Sequence, residues 1–97
     1  MQPKILIIRG ALKNKVAIIT GAGLGLGRAA ALRMAEEGAS IAILDVLDKE
    51  GESLAQELSR SGSRAKYWHC DVSKEADVVR AINEAASLYG RLNVLVC

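Results

Sequence analysis

Lys15 to Gly38, "KVAIITGAGLGLGRAAALRMAEEG", runs from a β-branched segment through four glycines in eight residues into a helical pattern. A flexible linker would not sit between two such ordered signals. "KVAIIT" (Lys15 to Thr20) reads as a strand buried on both faces. From Arg28 to Glu37, Leu26, Ala30 and Met34 recur at i, i+4 and i+8, which predicts one apolar helical face closed by Gly38.

The alternation continues along the chain. "SIAILD" (Ser40 to Asp45) predicts a second buried strand, and Asp48 an N-cap for a helix whose Leu54 and Leu58 face the core before Gly62. A third strand is expected over roughly Arg64 to Cys70. Ser73 is expected to cap a third helix, with Glu75 and Asp77 in its first turn and Val78, Ile82, Ala85, Ala86 and Tyr89 on its buried side. "NVLVC" (Asn93 to Cys97) opens a fourth strand. Parallel strands need crossovers, so this rhythm predicts an α/β, Rossmann-type, doubly wound parallel sheet. Right-handed crossovers give about four strands in the order 3-2-1-4 with three helices, a partial version of that fold.

The bulk properties narrow the function classes. Ninety-seven residues make one small domain, and 51% apolar with 25% charged residues is the balance of a folded globular chain. A net charge of +2 without a basic block argues against nucleic acid as a partner. No apolar run has the roughly 20 residues of a membrane span, and "KILII" (Lys4 to Ile8) is too short for a signal sequence. Cys70 and Cys97 fit neither a disulfide framework nor a metal site, so the default location is a reducing cytoplasm. His69 and Cys70 are strand neighbours that point to opposite faces and cannot share a metal, and "YWH" reads as strand packing.

In an open parallel sheet, ligands bind beyond the carboxyl ends of the strands where the order reverses. Here that point is Thr20-Gly21. Gly21 is expected to make the turn, Gly25 the close approach to a pyrophosphate, and Gly27 a tight helix–sheet contact, while the helix opens its N–H groups onto the anion. The run Ala29-Ala30-Ala31 keeps that helix face thin. Asp45 ends the second strand, where a carboxylate can accept both hydroxyl protons of an adenosine ribose and repel a 2′-phosphate. Leu24 and Val46 add no cation to offset that repulsion. NAD is therefore expected in preference to NADP. Asp71 reads as a turn residue ahead of Ser73.

"TGAGLGLG" resembles the TGxxxGxG pattern of the short-chain dehydrogenases/reductases, with Thr20, Gly21, Gly25 and Gly27 at its fixed positions. "LKNKVAIITG" is similar to that family's opening, "HCDVS" to its Asp-Val segment, and "GRLNVLVC" to the approach to its Asn-Asn-Ala-Gly motif, with Cys97 where the first Asn often stands. The likeness runs from Leu12 to Cys97, which leaves residues 1–11 as an N-terminal extension and 12–97 as a truncated dinucleotide-binding domain. It implies that Asp71 contacts the adenine amino group, that the Val72 backbone meets the ring, and that Leu26 lies along the pyrophosphate. It also implies hydride transfer between a nicotinamide cofactor and an alcohol or carbonyl substrate, carried out by Ser, Asn and a Tyr-x-x-x-Lys pair.

That pair is not in this sequence, since the fourth residues after Tyr67 and Tyr89 are Asp71 and Asn93. No catalytic residue is assigned, and the 97-residue chain is expected to be inactive alone. A small-molecule substrate is expected only for a longer form. The alternative is a non-catalytic nucleotide-binding or assembly module built on the half-fold. A methyltransferase is disfavoured, because Ile19 stands where that pattern has an acid. An exposed fourth strand would invite self-association.

Overall fold

A computed structural model describes residues 12–96. The apolar segment Lys4 to Ile8, within the expected N-terminal extension, and Cys97 lie outside them. Four strands, β1 (Val16–Thr20), β2 (Ser40–Asp45), β3 (Ala65–His69) and β4 (Val94–Val96), alternate with helices α1 (Gly25–Glu36), α2 (Asp48–Arg60) and α3 (Glu75–Tyr89). All strand pairs are parallel, in the order β3-β2-β1-β4. The expected Rossmann-type topology is the one found.

Period-two alternation divides the core between two faces of the sheet. Ala17, Ile19, Ile41, Ile43 and Tyr67 pack under α1 and α2, with Ala31, Ala35, Leu54 and Leu58. Ile18, Ala42, Leu44, Trp68 and Cys70 pack on the other side, against Ala81 and Ala85 of α3. The helices therefore change face between β1 and β4, and the switch point falls at the end of β1. Two hydrogen bonds, one between backbones and one to a side chain, start the β4 pairing: Asn93 N–H donates to Val16 O at 3.1 Å, and Val16 N–H to the side-chain Asn93 Oδ1 at 2.9 Å.

Three local expectations need correction. In α1 the buried residues are Ala31 and Ala35, with Leu32 and Met34 packed beside them, whereas Leu26 is 90% exposed. The helix starts at Gly25, its buried positions are the small Ala31 and Ala35, and of the expected face Met34 does pack against the core while Leu26 does not. Ser73 does not cap α3: the Ncap is Lys74, without a side-chain bond, and Ser73 donates both its N–H and Oγ to Asp71 Oδ1. Asp48 is the first residue of α2, not its Ncap, and its carboxylate turns to Tyr67 and His69. No helix among the described residues is long and apolar enough to cross a membrane.

Candidate nucleotide site

At the carboxyl ends of β1, β2 and β3, a cavity of about 310 Å³ is lined by Thr20, Gly21, Leu44, Asp45, Val46, Cys70, Asp71 and Val72. Gly21 and Gly25 have φ of 63° and 60°, a left-handed backbone that glycine enters without a steric penalty. Gly27 does a different job. A Cβ there would stand 2.3 Å from Gly21 O, so the first turn of α1 rests on the backbone of its own loop rather than on the sheet.

Among the described helices, only α1 has no acid in its first turn, and no side chain caps it. Its amino end thus keeps the N–H groups and positive dipole that favour an anion. Leu24 and Leu26 flank this end, both exposed, and Val46 and Val72 are exposed on the far side of the cavity. Arg28 in the second turn faces away, pairing with Glu57 of α2 at 2.5 Å.

The carboxylate of Asp45 is the centre of the arrangement. Its Oδ1 accepts from the N–H groups of Val46 (2.7 Å) and Leu47 (3.1 Å), and its Oδ2 from Gly23 N–H at 2.8 Å. Sequence reasoning passed over Gly23, which lies between the fixed glycines. A Cβ on it would come within 2.8 Å of Asp45 Oδ2 and 3.0 Å of Glu50 Cβ. Nothing local in the sequence signals that contact, because its partner is 22 residues away.

Asp71 sits at the other rim. Its Oδ1 holds Ser73 in a tight turn, and these bonds to Ser73 hold its carboxyl below the usual carboxylate range. Its N–H donates to Asp77 Oδ2 at 3.1 Å. The Cys70 thiol lines the floor, and burial, with Asp77 nearby, pushes its pKa up, so it is a packing group rather than a nucleophile. His69 and Cys70 do fall on opposite faces, one exposed beside Asp48 and one buried.

A larger cavity of about 470 Å³ lies at the amino ends of the strands, lined by Lys13, Lys15, Arg64 and Arg91 among others. The carboxyl ends of the helices point there. There Arg91 donates to Asn14 O at 3.1 Å and the Arg64 guanidinium lies 5.1 Å from the centroid of the Tyr89 ring, and the lining includes no helix amino end to receive a phosphate.

Comparison with known proteins agrees with this geometry. A family model described as short chain dehydrogenase matches residues 15–97. Tropinone reductase-like 1 from Erythroxylum coca is 44% identical over 84 residues, which are 87% of this chain and 30% of that protein. A short chain dehydrogenase/reductase from Burkholderia phymatum, solved in complex with NAD, superposes with a TM-score of 0.85 at 32% identity, covering 87% of this chain and 30% of that one. A 3-ketoacyl-(acyl-carrier-protein) reductase from Brucella melitensis, complexed with NADH, superposes at 0.81 with 40% identity, covering 88% and 34%. The chain thus spans about a third or less of the length of these relatives.

Proposed function

This chain belongs to the short-chain dehydrogenase family, and on that premise we propose that residues 12–97 form its NAD-binding portion, with residues 1–11 as an extension. The observation that supports NAD most directly is the buried carboxylate of Asp45, 8% exposed, at the mouth of the switch-point cavity. A carboxylate has about four acceptor positions, and three are taken by backbone N–H groups. One ribose hydroxyl can use the fourth. A second has to share with the longest of the three bonds, that from Leu47.

The remaining residues fit the same ligand. Gly21, Gly25 and Gly27, with the open end of α1, would receive the pyrophosphate, and Leu24 and Leu26 would cover it. Val46 would lie on one side of the adenine, and Asp71 and the Val72 backbone on the other, with Thr20 at the head of the loop. A 2′-phosphate would face Asp45 with no lining cation to neutralise it, so NADP is disfavoured. When bound in a full active site, the nicotinamide supplies or accepts the hydride exchanged with an alcohol or carbonyl carbon. The residues of this chain hold and orient the cofactor. They include no Tyr-x-x-x-Lys, so the 97-residue chain is expected to bind without turnover.

Calorimetric titration tests the reading. NAD should bind the 97-residue chain more tightly than NADP, and Asp45→Ala should cost NAD about tenfold, the scale of one or two hydrogen bonds to a charged group, while changing NADP less. Equal loss for both would remove the ribose assignment.

A further inference from the structure

Two β3 residues outside the glycine motif, Tyr67 and His69, converge on the turn Asp45–Asp48. Tyr67, on β3, projects to the α1/α2 side, and its hydroxyl lies 2.7 Å from Asp45 O and 2.5 Å from Asp48 Oδ1. It has one proton and faces two acceptors, so that proton is shared between the carbonyl and the carboxylate. His69, two residues further on the same face, places Nδ1 2.6 Å from the same Asp48 oxygen. Gly51 makes room for the ring, since a Cβ there would be 2.2 Å from Tyr67 Cε1.

The consequence lies at Asp45. Its carbonyl receives Cys70 N–H at 2.9 Å from the parallel ladder and the Tyr67 hydroxyl at 2.7 Å, so both lone pairs are used and the following peptide is held from two sides. That peptide carries Val46 N–H, and the next carries Leu47 N–H, the two donors that orient Asp45 Oδ1. The other end of the turn is held where Tyr67 meets Asp48. We propose that Tyr67, supported by Asp48, is a positioning residue for the ribose-binding carboxylate: its hydroxyl fixes the turn Asp45–Asp48, and the turn fixes the direction of the acid. The role rests on the assignment of Asp45 to the ribose.

Tyr67→Phe keeps the ring and removes the hydroxyl. The test is an NMR titration of the 97-residue chain and this variant with ADP and with 2′,3′-dideoxy-ADP, which lacks both ribose hydroxyls. Spectral dispersion reports folding in the same experiment. The variant should lose about fivefold in ADP affinity, the scale of one hydrogen bond, with dideoxy-ADP binding unchanged. Should Tyr67→Phe lose its dispersion, Asp48→Ala, on the exposed side of the network, carries the test and should show the same selective loss. Equal losses for the two nucleotides would mean a merely structural role and overturn the proposal, as would no loss for either. If the unaltered chain does not distinguish ADP from dideoxy-ADP, the ribose assignment itself fails and the proposal falls with it.

Discussion

Gly23 donates its backbone N–H to Asp45 Oδ2 at 2.8 Å, so the glycine loop after β1 and the acid ending β2 are bonded directly to each other. Two features that a motif treats as separate are one unit. The backbone proposed for the pyrophosphate and the carboxylate proposed for the ribose are joined by this bond.

Gly23→Ala should therefore act on both. The added Cβ meets a carboxylate oxygen at 2.8 Å and Glu50 Cβ at 3.0 Å, so Asp45 has to turn and the Gly23 bond is lost. We expect a stability loss of about 1–3 kcal/mol from overpacking, read by urea denaturation. NAD affinity should fall about tenfold by calorimetry, the effect of misdirecting one charged acceptor. Gly25→Ala meets no neighbour within 4 Å and should show only the left-handed backbone penalty of about 1–2 kcal/mol.

At Gly51 two effects oppose each other. Alanine in a helix interior is favoured over glycine by about 1 kcal/mol. The new methyl, however, would lie 2.2 Å from the Tyr67 ring, which is locked between the sheet and α2. Displacing a packed ring costs about 1–3 kcal/mol, so the net change in Gly51→Ala should be destabilising. A higher melting temperature would show that the ring yields without cost.

Alkali should expose the buried phenols. Burial first, and then the Asp48 carboxylate, pushes the Tyr67 hydroxyl well above its ordinary pKa, and burial raises Tyr89 despite the Arg64 guanidinium beside it. In the unfolded chain both ionise near pH 10. The folded state holds these protons more tightly, so their contribution is fully present below about pH 10 and declines as pH rises above it. Tyrosinate absorbance should accordingly appear together with loss of helical circular dichroism. Full ionisation near pH 10 in a chain that keeps its helices would contradict this.

The two edges of the sheet are treated differently. At β3 the Arg80 guanidinium donates to the outward carbonyl of His69 at 3.0 Å, covering part of that edge. At β4 no described element lies outside the strand. Unpaired strand edges template association. The 97-residue chain should show a concentration-dependent mass in sedimentation velocity, and a monomer throughout the micromolar range would refute this.

Hydrophobic period, glycine placement and helix breaks were enough to determine the order of elements, the parallel sheet and its switch point. These signals are local, and right-handed crossover leaves few ways to connect them. The register of Ser40–Asp45, which sets Asp45 at a strand end, was legible for the same reason. Tertiary structure decided which side of α1 is buried: the spacing of Leu26, Ala30 and Met34 is helical, but close approach to the sheet selects Ala31 and Ala35. It also decided that Asp48 answers Tyr67 and His69 instead of capping its helix, and that Gly23 holds Asp45. Each of these depends on atoms about 20 residues apart in sequence meeting within 3 Å, which no pattern along the chain records.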